Sequence, residues 1–204
     1  MLIMSKILII VLLLLLILFQ KKCYYGLIKF KNSANNLFYL NNTENMESKT
    51  KILDLMKNRV DILIDKLKQS PYKNKITVKR LTSKWNGNLN EIEATFQRNQ
   101  ILGYNINKGE SIHVCLQDPN SNKLIEDYNT MFFIVLHELA HIMTFNYKHN
   151  AEFWENFSFL IRFSNQIGLY EYVNYNKTPV NFCGGIVDST PYKKSKKNKG
   201  VSIL

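Results

Sequence analysis

Histidine is scarce in this chain, with four residues in 204, yet three of the four fall within the thirteen positions from His137 to His149. Cysteine is also scarce, because Cys23, Cys115 and Cys183 form an odd set at unrelated spacings. Such a set gives no sign of a disulfide framework and mildly favours a reducing compartment. A small secreted fold stabilised by disulfides is therefore not expected.

Acidic residues are absent from both ends of the chain. The net charge is +11, and residues 1–31 carry five Lys and no acid, as do residues 192–204. This leaves only +1 for residues 32–191. A broad nucleic-acid-binding face requires clustered basic residues, so the nearly neutral body of the chain argues against one.

An N-terminal apolar run predicts a membrane segment. Residues 7–19 are uninterrupted apolar residues, and together with Met1–Met4 they are long enough for a single-pass anchor over residues 1–22. A secretory signal peptide is the alternative, but Gln20-Lys21-Lys22 follows the run without the small residues of a cleavage site. The Lys residues after the run weakly place the rest of the chain on the cytosolic side.

Hydrophobic periodicity predicts an α+β domain over residues 50–192, with a polar, Asn-rich tether over residues 23–49. Apolar side chains at three- and four-residue steps predict a helix over residues 50–69, which Ser70-Pro71 ends. Alternating apolar residues predict a small, mostly antiparallel sheet. Its strands are predicted at 76–78, 91–96, 101–106 and 112–116.

Two further helices and two C-terminal segments complete the prediction. The first helix carries the His-rich motif, with Asp127, Asn129 or Thr130 as its N-cap, and the second covers residues 151–167 and ends at Gly168. Residues 170–191 are expected to wrap back onto the domain irregularly. Residues 193–204 are expected to form a disordered basic tail, which either serves solubility or contacts anionic lipid or nucleic acid.

The motif His137-Glu138-Leu139-Ala140-His141 follows the apolar residues 131–136 without a break. On a helix, positions i and i+4 lie one turn apart on the same face, so the two imidazoles can bind one tetrahedral Zn²⁺. Glu138 lies to the side of the pair, where it can act as general base on an attacking water.

Zinc needs a third protein ligand, and His149 is predicted to supply it after the chain reverses near Asn146. Glu152 and Glu155 are the alternatives. The remaining His113 is expected to be structural, and Cys183 is expected to be a structural thiol and not a fourth ligand. An oxyanion-stabilising Tyr remains open among Tyr170, Tyr172 and Tyr175.

These residues resemble a known family. The motif, followed by His149-x-x-x-Phe153-Trp154, is similar to the WLM (Wss1-like) zinc metallopeptidases carried by large DNA viruses and to SprT-like and YgjP-like domains. The resemblance extends over roughly residues 50–192, including 107–116 and 179–184. Many relatives have about five residues, often with a Gly, between the second and third His, whereas this chain has seven and no Gly.

The resemblance implies a compact zincin-like fold and a zinc metallopeptidase that hydrolyses peptide bonds of a protein or peptide substrate. Together with the predicted anchor, it implies an enzyme on a host or virion membrane, with a zinc-activated water and Glu138 as general base. Two alternatives remain: a non-catalytic, membrane-tethered binding or scaffold protein with the same fold, and a protease of DNA-bound proteins.

Overall fold

The computed structural model describes residues 26–191, which form a mixed α+β domain. Five helices and seven strands follow the chain in the order β1, β2, α1, α2, β3, α3, β4, β5, α4, α5, β6 and β7. The helices are α1 (Met46–Gln69), α2 (Ile76–Lys84), α3 (Ala94–Arg98), α4 (Tyr128–Met143) and α5 (Ala151–Gln166). The strands are β1 (Leu27–Lys31), β2 (Leu37–Asn41), β3 (Leu89–Glu91), β4 (Gly103–Ile106), β5 (Ser111–Val114), β6 (Val180–Phe182) and β7 (Gly185–Val187).

The predicted amphipathic helix is present as α1 and begins four residues earlier than expected, at Met46. Its apolar stripe is fully buried in the core, because side chains at three- and four-residue steps share one helical face. Ser70 ends the helix, and its hydroxyl donates to the carbonyl of Leu67 at 2.8 Å.

The central sheet has three strands in the order β3-β5-β4. The predicted strands at 101–106 and 112–116 are confirmed as β4 and β5, which pair antiparallel. β3 pairs parallel with β5. The prediction of a mostly antiparallel sheet is therefore wrong for this sheet, which is mixed, because α3 and β4 separate β3 from β5 in the sequence.

Two strand predictions are wrong. Residues 76–78 begin α2, in which Val78 and Leu81 point into the core at helical spacing while Ile76 is exposed. The strand predicted at 91–96 ends at Glu91, and α3 follows. The side chain of Asn41 accounts for this end, since it donates to the carbonyl of Ile92 at 2.8 Å and accepts from the backbone N–H of Ala94 at 3.2 Å.

The tether predicted over residues 23–49 differs from the structure, in which β1 and β2 form an antiparallel hairpin. Phe38 and Leu40 of this hairpin are buried in the domain core. Asn side chains stabilise the turn between β1 and β2, where Asn32 Oδ1 accepts hydrogen bonds from the backbone N–H groups of Ala34 and Asn36 at 3.1 and 2.9 Å. The Asn-rich composition therefore reflects turn chemistry, which a count of polar residues does not distinguish from a linker.

A buried ion pair joins the hairpin region to the sheet. Lys49 Nζ lies 2.7 Å from Glu91 Oε1, and both side chains are 0% exposed. The other oxygen of Glu91 accepts the backbone N–H of Asn41 at 2.8 Å. Because a buried carboxylate is costly unless its oxygens are satisfied, this network fixes β2, α1 and β3 in one arrangement.

Helix α4, which carries the His-rich motif, packs against α5. Asp127 is the N-cap of α4 and accepts the backbone N–H of Thr130 at 2.9 Å. Between Thr130 and Met143, only His137 and His141 are not fully buried. Asn150 caps α5 through the backbone N–H of Phe153 at 3.0 Å. The predicted second helix is confirmed, and Gly168 follows its end with a φ of +75°.

The segment after α5 folds back onto the domain, as predicted, but contains the β6–β7 hairpin. Tyr175 is buried against Phe133, with ring centroids 4.7 Å apart. Cys115 and Cys183 form a disulfide with a Cα–Cα distance of 6.2 Å, which links this hairpin to the chain after β5. This pairing differs from the expectation of unlinked thiols, because 68 residues separate the two Cys in sequence.

The predicted membrane localisation is corrected. Among residues 26–191, no helix is both long enough and apolar enough to cross a bilayer. The longest described helix, α1, has 24 residues and is amphipathic, while α4 is apolar but has only 16 residues. The segment proposed as the anchor, residues 1–22, lies outside the described residues, as does the predicted tail at 193–204.

Candidate metal centre

The three predicted His ligands come together in the structure. His137 and His141 project from the same face of α4, and His149 reaches them from the loop that precedes α5. The Nε2 atom of His149 lies 3.1 Å from Nε2 of His137 and 3.0 Å from Nε2 of His141. The seven-residue spacing between His141 and His149 therefore brings the third imidazole onto the first two.

One buried aromatic side chain supports all three imidazoles. Phe153, in the first turn of α5, is 0% exposed. Its ring centroid lies 4.9, 4.4 and 4.5 Å from those of His137, His141 and His149, respectively. Because Asn150 fixes the start of α5, the position of Phe153 and the direction of the His149 loop are set together.

Lys108 fixes the chain between His141 and His149. Its Nζ donates to the carbonyls of Thr144, Phe145 and Asn146 at 2.7, 2.6 and 2.8 Å. These carbonyls lie at and just beyond the C-terminus of α4, where the helix dipole favours a cation. Burial, followed by the nearby Arg80 and Lys84, lowers the pKa of the Lys108 ammonium from its ordinary value.

The residues fit a tetrahedral metal ion with nitrogen ligands. Two imidazole nitrogens on one zinc ion, at about 2.0–2.1 Å each, are about 3.3 Å apart, close to the separations seen here. Burial, followed by the neighbouring His residues, lowers the pKa of His137 to about 3, and burial followed by His149 lowers that of His141 to about 4. Both rings are therefore neutral near pH 7, the form in which imidazole binds metal.

Glu138 lies beside the three His residues but is held in a different way. Its side chain points toward β4, where Asn105 Nδ2 donates to Glu138 Oε2 at 2.8 Å. Burial raises the pKa of Glu138 to about 7, and the Asn105 hydrogen bond partly opposes this shift. A carboxyl group with a pKa near 7 is well suited to accept and return a proton at neutral pH.

Two cavities meet at these residues and share Gly103, His137 and Glu138. The first, of about 290 Å³, contains His141, His149, Asn105 and Tyr147 in its lining. The second, of about 250 Å³, extends from Glu138 toward Phe133 and the β6–β7 hairpin. The site is therefore a cleft with a polar half and a largely apolar half on either side of Glu138.

The other sequence candidates lie elsewhere. The buried ring of His113 bonds to Ser111 Oγ at 3.0 Å and to the carbonyl of Glu91 at 3.1 Å, away from the His cluster. Glu152 accepts the backbone N–H of Phe145 at 3.1 Å, and Glu155 lines a separate cavity. Cys183 is paired with Cys115.

None of the three Tyr residues considered for oxyanion stabilisation lines either half of the cleft. Two other Tyr residues line the half that holds the three His residues: Tyr104 of β4, and Tyr147 in the loop between His141 and His149. The position of Tyr147 is fixed in part by Lys108, whose Nζ lies 4.4 Å from the centroid of the Tyr147 ring.

The family model of the WLM domain matches residues 77–201, more than half of the chain. The chain belongs to the WLM domain family. The match covers the whole candidate metal centre and the strands that border it.

Relatives of this WLM domain occur in large DNA viruses. Protein R325 of Acanthamoeba polyphaga mimivirus is 28% identical over 160 residues, which cover 76% of this chain and 79% of that protein. Protein 136R of Invertebrate iridescent virus 6 is 33% identical over 69 residues, which cover 33% of this chain and 38% of that protein. A solved structure of a Wss1 mutant from S. pombe is 26% identical, with a TM-score of 0.32, covering 44% of this chain and 75% of that one.

Sequence reasoning missed Asn105 and Lys108. Asn105 was included in a predicted strand, but its contact with Glu138 joins residues 33 positions apart, and no local pattern indicates it. Lys108 lies in the turn between β4 and β5, outside every motif that indicates the site. Its unusual feature is a φ of +53°, which the sequence does not reveal.

Proposed function

We propose that this WLM domain is a zinc-dependent peptidase. The observation that supports it most strongly is the convergence of three imidazoles beside a carboxyl group in the same cleft, with Nε2 of His149 lying 3.1 and 3.0 Å from Nε2 of His137 and His141. His137, His141 and His149 would hold the metal as neutral imidazoles. When bound, zinc would supply the Lewis acidity that lowers the pKa of water and polarises a carbonyl oxygen.

Glu138 supplies the general base. Its carboxylate accepts the proton of the water that attacks the peptide carbonyl and then passes that proton to the leaving amine. Asn105 holds one carboxylate oxygen, leaving the other free to take up the proton. The buried position of Glu138 removes competing solvent and keeps its proton affinity close to that needed at pH 7.

Cleavage of an unfolded protein tests this function. The full chain, supplied with zinc, is expected to fragment reduced casein, and Glu138→Gln is expected to reduce the rate by about 100-fold or more while retaining the metal. Glu155→Gln is the matched control, because Glu155 is exposed and lines a different cavity. Casein cleavage by Glu138→Gln at the rate of the unchanged chain would contradict the proposal.

The two alternatives predict other outcomes. A non-catalytic binding protein would leave casein intact in every variant, and it gives no reason for a positioned, buried carboxyl group beside three His residues. A protease of DNA-bound proteins requires contact with DNA through the basic residues 193–204, which lie outside the described residues. It predicts salt-dependent DNA binding that is lost when those residues are removed.

A further inference from the structure

The apolar half of the cleft has no role in holding a metal. Most residues that line its cavity of about 250 Å³ are apolar, among them Leu102, Phe133, Ile134, Phe157, Ile186 and Val187. Asp188 and Ser189 add a polar edge to it. It opens on His137 and Glu138, so a group bound there lies next to the reacting bond of the proposed function. A concave apolar surface beside polar groups is typical of a site that binds a ligand.

The base of this cavity is rigid. Phe133 is packed between Phe157 and Tyr175, with ring centroids 5.0 and 4.7 Å from its own. Phe157 in turn lies 5.2 Å from the ring of His137. Because these rings belong to the buried interface of α4 and α5, the cavity does not need to form on binding.

The outer wall comes from the β6–β7 hairpin, which is fastened to the domain at two points. The disulfide between Cys115 and Cys183 links it to the chain after β5. Gly185 lies so close to the chain just before β4 that a Cβ atom there would be 3.0 Å from Leu102 Cδ2. Ile186 is 64% exposed, although it lines the cavity, so its apolar surface is available to a ligand.

The size of the cavity limits what it accepts. Sites for drug-sized ligands have volumes of about 300–1,000 Å³, so a cavity of 250 Å³ is smaller than these but has room for one large side chain. We propose that this cavity binds one large apolar side chain, of the size of Leu, Met or Phe, next to the scissile peptide bond of a substrate. The role of that side chain as part of a substrate rests on the proposed peptidase function, whereas the binding itself does not.

Binding can be measured without catalysis, because Trp154 lines the cavity and is one of two Trp residues in the chain. N-acetyl-leucinamide is expected to change the fluorescence of the chelator-treated full chain saturably, while N-acetyl-glycinamide is not. Ile186→Glu places a charge on the outer wall and is expected to weaken binding about tenfold or more. Ile76→Glu makes the same change at a 72% exposed residue outside the cavity and should bind as the unchanged chain does.

A second variant assigns the signal to the cavity: Trp154→Phe should remove the fluorescence change, whereas Trp85→Phe should keep it. The proposal is overturned if leucinamide and glycinamide act alike, or if Ile186→Glu and Ile76→Glu bind leucinamide equally well.

Mapping the cleavage sites in casein separates this proposal from the proposed function. Large apolar residues should be enriched at one position beside the cleaved bonds, and Ile186→Glu should reduce that enrichment about tenfold while Ile76→Glu does not. Cleavage without any such enrichment overturns the proposed role of the cavity and leaves the peptidase intact. Saturable binding of leucinamide with no casein cleavage would leave the cavity intact and contradict the peptidase.

Discussion

At the scale of single residues, the site depends on how burial changes the chemistry of His137, His141 and Glu138. Burial keeps the imidazoles in the neutral form that binds metal, and it raises the pKa of the carboxyl group to about 7, where the group can both accept and return a proton. Buried groups of this kind need partners that hold them in place. Asn105 is such a partner for Glu138.

Replacing Asn105 with Ala is expected to lower kcat/KM about tenfold or more, since a hydrogen bond to a charged group contributes about 1.5–3 kcal/mol. The Asn105 hydrogen bond lowers the pKa of Glu138, so its loss should also move the acid limb of the kcat/KM profile to higher pH. Asn107→Ala, on the adjacent turn, is the control. If Asn105→Ala lowers the rate without any movement of the acid limb, Asn105 does not act through Glu138.

The residues of the metal centre were more predictable than the side chains that position them. His137, Glu138 and His141 are recognisable because a helix puts neighbouring positions on one face, which is a local property of the sequence. Predicting His149 as the third ligand required only one chain reversal, near Asn146. Asn105 and Lys108 approach from another hairpin, and their contacts arise from tertiary packing that has no local signature.

At the scale of elements, the loop between α4 and α5 is held from outside. Lys108, in the turn between β4 and β5, binds three successive carbonyls of this loop. A contact from a neighbouring element also explains why the strand predicted at 91–96 is wrong. Residues 91–96 alternate like a strand, but Asn41 of the neighbouring hairpin binds the backbone on both sides of Glu93 and ends it.

Lys108→Met removes the ammonium but keeps much of the apolar side chain. The three carbonyls lose their donor, so the loop should loosen and zinc affinity should fall about tenfold, as is usual for residues that support metal ligands. Lys148→Met, in the same loop but exposed, is expected to bind zinc as the unchanged chain does. Competition with a fluorescent chelator measures both affinities, and equal values for the two variants would show that Lys108 does not position His149.

At the scale of the whole molecule, residues 26–191 share one hydrophobic core. The N-terminal hairpin, the central sheet and the C-terminal hairpin each contribute buried side chains to this core, together with α1 and α4. The α+β class followed from the periodicity of the sequence. The parallel pairing of β3 with β5 and the disulfide did not, because both join residues that are distant in sequence.

The metal-free protein is expected to lose stability as the pH falls. The pKa values of His137 and His141 in the folded chain, about 3 and 4, are below the ordinary value of 6.5. Burial also lowers the pKa of His113, whereas the raised pKa of Glu138 acts in the opposite direction. Because the lowered His pKa values outnumber the one raised carboxyl pKa, below about pH 6.5 the unfolded chain binds more protons than the folded chain, and the free energy of unfolding decreases. Urea unfolding of the chelated full chain at pH 7.5, 6.5 and 5.5 measures this decrease.

His137→Phe removes one of the His residues with a lowered pKa and should give a shallower decrease. A free energy of unfolding that is constant or rises toward pH 5.5 would contradict the lowered pKa values.

The central claim is that three His residues hold one metal ion, and the metal content of the full chain tests it most directly. After dialysis against limiting zinc, the unchanged chain should retain one zinc ion per molecule, as measured by inductively coupled plasma mass spectrometry. His149→Ala should weaken zinc binding by more than about a hundredfold, because it removes a ligand, whereas Glu155→Ala should not. A folded chain that retains no zinc, or a His149→Ala variant that binds zinc as tightly as the unchanged chain, would contradict the three-His site.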